Sequence, residues 1–293
     1  MEINGETKIF AVIGDPIAHS LSPKMHNSNI EALSLNYTYL AFNVKEDNIQ
    51  NVIDGAKSLQ ISGLNVTIPH KIKIIKYLDE IDPLAEKIGA VNTIKFEYTP
   101  NGAIAKGYNT DATGAMRALK EKCDLKNKNV LILGAGGAAR AIGFALCNEE
   151  INSLCILNRN ISRALDLAGD ITSKTDYNVR FDTFENINSY LKDTDILIHT
   201  TPNGMYPNND DEPLVYAQQM NPNMVVFDIV YNPLETTILK EAKKIGATRV
   251  SGLKMFLYQG AEAFTIWTGQ DANIDAMEKV ILESSGIDDL GDF

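Results

Sequence analysis

The stretch from Asn129 to Arg140 restricts the fold of this chain more than any other. An apolar run, Val130-Leu131-Ile132-Leu133, gives way to Gly134-Ala135-Gly136-Gly137-Ala138-Ala139-Arg140 and resumes with helical spacing through Ala141, Ile142, Phe144, Ala145 and Leu146. A strand, a glycine turn and a helix in that order open a doubly wound α/β unit, and the glycine spacing is that of a dinucleotide fingerprint. Gly134 permits the tight turn, Gly136 lets the main chain approach a pyrophosphate, and Ala139 in the third position keeps the helix close to the strand. Ala135, Gly137 and Ala138 complete the turn, and free amides at the helix start would face the phosphates. A glycine fingerprint by itself also serves as a plain structural turn. Here its context is informative, because a second strand, Ser153 to Leu157, follows one helix later and ends at Asn158-Arg159, where ribose recognition belongs.

At 293 residues the chain is long for one core, and domains of roughly 100 to 200 residues suggest two. A formal net charge of -11 argues against nucleic acid as a partner, since a polyanion needs a basic face, but leaves room for a small anion where a few cations converge. The N-terminus lacks a signal-peptide pattern and no apolar run approaches the roughly 18 residues of a membrane span, so the expected setting is the cytoplasm. Cys123, Cys147 and Cys155 lack metal-ligand spacing and read as buried reduced thiols; no metal site is expected. The acidic end, Ile287 to Phe293, reads as a frayed tail.

In the first half, Lys8 to Ile13 reads as a buried strand ending at Gly14-Asp15-Pro16, followed by the polar loop His19-Ser20-Leu21-Ser22-Pro23. Ser22 before Pro23 has the form of an N-cap for a helix running to about Leu33, whereas Ser20 has no such structural role. Strands at Tyr37 to Val44 and Ile61 to Val66, with a helix between them, suggest a parallel sheet whose strand-end loops make a binding crevice. One of those loops is Asn65-Val66-Thr67-Ile68-Pro69-His70-Lys71. Further strands are expected at Ala90 to Phe96 and Ile104 to Lys106, with Asn92 near the start of the first and Gly107-Tyr108-Asn109-Thr110-Asp111 after the second. A lone lysine is usually solvated and Thr110 or Asp111 could simply cap a helix, yet Ser20, Thr67, Lys71, Asn92 and Asp111 all collect at strand ends. Convergence of this kind marks a ligand site.

From Asn129 onward six strands are expected, at Val130 to Leu133, Ser153 to Leu157, Tyr177 to Phe181, Asp195 to Ile198, Met224 to Phe227 and Thr248 to Val250, the number of one Rossmann-type dinucleotide domain. His199, at the end of a buried strand, reads as packed rather than catalytic. The last helices, Met255 to Thr268 and Ile274 to Glu283, do not extend the pattern and should return to cover the first domain. The fold class is therefore α/β, a doubly wound dinucleotide domain over 113–253 plus a discontinuous α/β substrate domain over 1–112 and 254–293.

With these residues in place the chain resembles the shikimate dehydrogenase family, including its quinate/shikimate members. Five motifs match in order along nearly its whole length: Ser20-Leu21-Ser22, Asn65 to Lys71, Gly107 to Asp111, Gly134 to Arg140, and Gln259-Gly260-Ala261-Glu262-Ala263-Phe264. The resemblance implies that Ser20 and Ser22, helped by Tyr231, hold the substrate carboxylate, that Thr67, Asn92 and Gln259 hold ring hydroxyls, and that Lys71 and Asp111 are the acid/base pair. It implies interconversion of 3-dehydroshikimate and shikimate with NADP(H) in aromatic amino acid biosynthesis, by a monomer or homodimer that needs no metal. Thr201, Gly252 and Met255 complete the cofactor set begun by the glycine turn, Asn158, Arg159 and Arg163. NADP is expected over NAD because the second strand ends in Asn158-Arg159, with Arg163 one turn on and no carboxylate before Asp166 to accept from a ribose hydroxyl. The alternatives are an NAD-dependent quinate or dual-specificity dehydrogenase and, more distantly, a module that binds a dinucleotide or metabolite without turnover.

Overall fold

The computed structural model describes residues 3–285, so the acidic tail at 287–293 lies outside the described residues. The chain forms two units, 3–110 with 257–285 and 111–256. It passes from the first to the second one residue into a helix and returns in the middle of another.

The first unit starts with β1 (Lys8–Gly14), α1 (Ser22–Ala32), β2 (Tyr37–Asn43), α2 (Ile49–Ser58) and β3 (Gly63–Val66). It continues through β4 (Glu80–Ile81), α3 (Pro83–Ile88), β5 (Thr93–Thr99) and β6 (Gly102–Tyr108). The sheet order is β2-β1-β3-β5-β6-β4. β1 is parallel to both β2 and β3, as the alternation of strand and helix suggested, but β5 runs antiparallel to β3 and to β6. Only Pro100 and Asn101 separate β5 from β6, and so short a link can only reverse the chain. β5 also starts at Thr93 rather than Ala90, which leaves Asn92 just ahead of the strand. The pair β4 and α3 escapes a periodicity reading because both are short, although Asp82-Pro83 is a readable start signal and the Asp82 carboxylate caps Leu84 N at 3.0 Å.

The unbroken apolar run of β1 reflects burial on both faces. Ala11 and Ile13 join Ile49, Ile53, Leu64, Val66, Ile94 and Phe96 in one cluster, while Phe10 and Val12 join Ile30, Tyr39, Phe264 and Trp267 in another. Trp267 shows why the C-terminal helices belong to this unit. Its indole stacks on Phe10 with centroids 4.6 Å apart and its Nε1 donates to Ile94 O at 2.9 Å. A Cβ at Gly63 would come within 2.3 Å of that indole, so glycine is needed for the close approach.

The second unit comprises α4 (Thr110–Lys120), β7 (Asn129–Leu133), α5 (Gly137–Leu146), β8 (Ser153–Leu157), α6 (Ile161–Lys174) and β9 (Arg180–Asp182). Then follow α7 (Ile187–Leu191), β10 (Ile196–His199), β11 (Val225–Asp228), α8 (Thr237–Lys244) and β12 (Thr248–Ser251). All its strand pairs are parallel, in the order β12-β11-β10-β7-β8-β9. Sequence order reverses between β7 and β10, the switch point at which doubly wound sheets open a crevice beyond their strand ends. α9 (Gly252–Thr268) and α10 (Ile274–Ser285) end the described chain. No helix among the described residues is long and apolar enough to cross a membrane. All three cysteines are free, but only Cys155 is buried, where burial pushes its thiol up to about 12; Cys123 and Cys147 are half-buried, more open than expected.

Candidate active site

In the first unit, polar side chains from five segments far apart in sequence join in one hydrogen-bonded chain. The Tyr39 hydroxyl on β2 donates to Asn65 Oδ1 at 2.7 Å. Asn65 Nδ2 on β3 donates to Asn92 O at 3.2 Å and to Thr93 Oγ1 at 3.1 Å. Thr93 donates in turn to Asn92 Oδ1 at 3.1 Å, which also accepts from Thr110 N at 2.7 Å, and Asn92 Nδ2 reaches Thr110 Oγ1 at 3.0 Å and Gln259 Oε1 at 3.5 Å. The structure thus brings together Asn92 and Gln259, two of the expected substrate residues.

Ser20, in the loop after β1, accepts with its Oγ from Ser22 N at 3.3 Å, and Thr67, the residue after β3, donates its N to Ile13 O near the end of β1 at 2.9 Å. Lys71 is half-buried, and its carbonyl accepts from Val91 N at 2.8 Å, which fixes its loop beside Asn92. Asp111 is buried in the first turn of α4, immediately after Thr110. The cap reading of Ser22 is corrected: Leu21 is the N-cap, no side chain caps the helix, and Ser22 is its first residue. Proline at the second position still satisfies the donor-free first turn, which is why the sequence signal looked right one residue out of place.

Tyr39, Asn65 and Thr93 were not among the expected site residues. A signal existed in Asn65, an amide in the four-residue buried strand β3, since a buried amide must find partners. Burial raises the Tyr39 hydroxyl well above its ordinary range, so it remains a neutral donor. Its ring stacks on His26 with centroids 4.3 Å apart and an 8° interplanar angle. Neither His26 nitrogen has a hydrogen-bond partner among the described residues, and burial lowers the imidazole to about 3. The folded state therefore refuses a proton that the unfolded chain accepts below about pH 6.5. Stability attributable to His26 is full above that pH and declines as pH falls from 6.5 toward 3, at about 1.4 kcal/mol per pH unit. Chemical denaturation at pH 7, 6, 5 and 4 should show this slope in wild type and a shallower one in His26→Gln; parallel slopes would assign the acid sensitivity elsewhere.

In the second unit the glycine turn has the form expected. Gly134 has φ +114°, and a Cβ there would meet Thr200 Oγ1 at 2.3 Å, so the loops after β7 and β10 touch and exclude any side chain. Gly136 is different: its φ of -94° suits any residue, and a Cβ there would meet no protein atom within 4 Å. Nothing in the protein requires glycine at 136, whereas a ligand backbone approaching α5 does. No side chain caps α5, so its first amides remain available to an anion. Ala135, Gly137 and Ala138 line this turn, half-buried, while Ala139 is fully buried against the sheet. Arg140 turns away and pairs with Asp170.

Arg159 and Arg163 are both exposed at the start of α6, and no ion pair to either is found among the described residues. Asn158 donates to Asn160 O at 2.9 Å, and Asn160 caps Ser162 N at 3.0 Å. Tertiary structure adds one carboxylate near this strand end, Asp182, whose carbonyl accepts from Asn158 N at 3.1 Å. Its side chain is already engaged by Thr183 N, Asn186 and Tyr190, and the Asn186 bond foremost holds its carboxyl below the usual range. These features fit a dinucleotide with an anionic ribose substituent.

The remaining expected cofactor residues differ in role. Thr201 accepts from Asn203 N at 3.2 Å and meets His199 Nε2, while His199 Nδ1 lies 3.0 Å from Asp228 Oδ1. His199 is thus a buried, hydrogen-bonded packing residue. Gly252 is fixed by packing, since a Cβ would meet Ile229 O at 2.2 Å, and Met255 is buried nearby in α9. Tyr231, expected at the substrate carboxylate, follows β11 in this unit, stacks on Phe256 at 4.5 Å, and has its hydroxyl raised by burial. Among the described residues no group of three or more His, Cys, Asp and Glu side chains could hold a metal ion.

Three family models match the chain: the shikimate dehydrogenase substrate binding domain over residues 12–94, shikimate / quinate 5-dehydrogenase over 116–253, and the shikimate 5'-dehydrogenase C-terminal domain over 252–282. A shikimate dehydrogenase (NADP(+)) of Methanobrevibacter smithii is 54% identical over 280 residues, covering 95% of this chain and 98% of the relative. A crystal structure of a shikimate dehydrogenase in complex with NADP+ superposes with a TM-score of 0.91 at 49% identity, covering 97% of both chains. A shikimate 5-dehydrogenase from Listeria monocytogenes in complex with shikimate and NAD gives 0.88 at 36% identity, covering 96% of this chain and 98% of that one.

Proposed function

Because the chain belongs to the shikimate dehydrogenase family, we propose that it interconverts 3-dehydroshikimate and shikimate with NADP(H). The observation that carries the reading is the meeting of Asn92 Nδ2 and Gln259 Oε1 at 3.5 Å, at the end of a polar chain that runs from Tyr39 through Asn65 and Thr93 and gathers amides from distant segments. A hydroxylated ring needs amides gathered in that way.

Ser20 and Ser22, with Tyr231, take the carboxylate, and Thr67, Asn92 and Gln259 take ring hydroxyls. The nicotinamide, when bound, supplies or accepts hydride at the reacting carbon. Lys71 Nζ gives a proton to the ketone oxygen during reduction and removes it during oxidation, and Asp111 orients the ammonium; a placed acid/base contributes typically about 10²- to 10⁴-fold. The turn at Gly134 to Ala138 receives the pyrophosphate, Arg159 and Arg163 the 2′-phosphate, and Thr201 and Met255 flank the cofactor. Three free thiols suit a reducing compartment, and we place the enzyme in the cytoplasm, as a monomer or homodimer.

Quinate differs from shikimate by a hydroxyl on the carbon that bears the carboxylate, and this group needs both space and a partner beside Ser22. Ser22 is buried and is already assigned to the carboxylate, so the additional group would be desolvated there without a partner of its own. Initial rates with shikimate and quinate against NADP and NAD test the reading. Shikimate with NADP should give the highest kcat/KM, with quinate lower by about tenfold or more; faster quinate oxidation would assign the chain to quinate.

A further inference from the structure

Within that reading, we infer that His199 is a positioning residue for the cofactor: with Asp228 behind it, it holds the Thr201 hydroxyl as an acceptor for the nicotinamide nucleoside end. Thr200 and Thr201 leave β10 at the switch point of the second sheet, beside the glycine turn that follows β7. Thr200 N and Oγ1 both donate to Leu133 O at 2.8 Å, and a Cβ at Gly134 would meet Thr201 Cγ2 at 3.2 Å. Thr201 therefore stands, half-buried, against the dinucleotide turn, and His199 and Asp228 are buried behind it.

The bond directions follow from groups that can play only one part. Asp228 Oδ1 accepts from Val230 N at 3.0 Å, and Oδ2 accepts from the Thr236 hydroxyl. A carboxylate that accepts at both oxygens needs a donor from the imidazole, so the His199 proton sits on Nδ1, 3.0 Å from Oδ1. The neutral ring then leaves Nε2 bare, and Thr201 donates to it. Thr201 Oγ1 accepts in turn from Asn203 N at 3.2 Å, which leaves one lone pair and no proton for a ligand. Phosphate oxygens are acceptors, so this hydroxyl does not serve the pyrophosphate; ribose hydroxyls and the carboxamide N–H of the nicotinamide end are the donors that match it. Thr236 stands at the N-cap of α8, where a threonine hydroxyl ordinarily accepts from the helix amides, yet it caps nothing and turns inward to Asp228. A capping bond is thus given up to fix the carboxylate that orients His199.

His199→Asn keeps a donor for Asp228 at the place of Nδ1 and removes the acceptor of the Thr201 proton. Its Kd and KM for NADP should rise about threefold to tenfold, the effect of one hydrogen bond, while kcat stays within about threefold and KM for shikimate is unchanged. Affinity for adenosine 2′,5′-bisphosphate, measured by calorimetry, should not change, because that probe lacks the nicotinamide end. Thr201→Val should give the same pattern, and joining the two changes should add less than about twofold to either. Nitrogen NMR of the wild type should find the His199 proton on Nδ1 alone, a measurement that serves if His199→Asn does not fold. An active wild type whose His199→Asn variant binds NADP as tightly, a variant that loses the bisphosphate equally, or a ring protonated on Nε2 overturns the inference alone. A wild type that binds no NADP overturns the functional reading and this inference with it.

Discussion

Lys71→Met should lower kcat for shikimate oxidation by about 10² or more while KM changes far less, because a proton transfer used in the transition state is lost and ground-state contacts remain. Methionine keeps the length of the side chain and removes only the ammonium. The loop should survive the change, since it is fixed by backbone bonds: Val91 N to Lys71 O at 2.8 Å, Thr67 N to Ile13 O at 2.9 Å and His70 N to Thr67 O at 2.9 Å. The buried His70 imidazole adds a bond to Val44 O at 2.7 Å. An unchanged melting temperature together with the kcat loss separates chemistry from folding. Asp111→Asn should also depress kcat, and less than additively with Lys71→Met if the two act as a unit. Near-normal turnover by a folded Lys71→Met protein would remove the lysine from the mechanism.

The second large effect concerns the cofactor. Arg159 and Arg163 lie at the start of α6, where cations oppose the positive end of the helix unless an anion stands between them. Both are exposed, and no carboxylate among the described residues pairs with them. Asp182, the acid that folding places at the neighbouring strand end, is committed to three donors of its own. Bonds to a charged group contribute about 1.5 to 3 kcal/mol each, so one arginine favours NADP by about 10- to 10²-fold and two by about 10²- to 10⁴-fold, toward the lower end because both are exposed. Arg159→Ala should therefore lose kcat/KM with NADP and little with NAD, and the Arg159→Ala/Arg163→Ala double variant should lose more. Equal use of both cofactors by wild type, or no loss with NADP in the variants, would show that the pair does not read the phosphate.

Sequence reading went furthest where a pattern is local. β8 was placed at Ser153 to Leu157, its observed bounds, because an apolar strand between polar loops carries its own signal. The glycine turn was legible for the same reason: φ at Gly134 and the open space at Gly136 are properties of a short segment. Ser22 shows the limit, because its i-to-i+1 relation to Pro23 resembles a cap, yet the helix takes Leu21 as its N-cap and leaves Ser22 as its first residue. β5 shows another limit, since its register and direction depend on what it pairs with.

From sequence alone, the alternation of strands and helices, the dinucleotide turn and the collection of polar residues at strand ends were determined, since periodicity and turn chemistry are set by residues within a few positions of one another. Only tertiary structure decided that Tyr39, Asn65, Thr93, Asn92 and Gln259 form one chain, that Arg140 turns to Asp170 and that Asp182 is already engaged. Hydrogen bonds act over about 3 Å in space whatever the separation along the chain, so which donor meets which acceptor is fixed by packing and leaves no trace in local spacing.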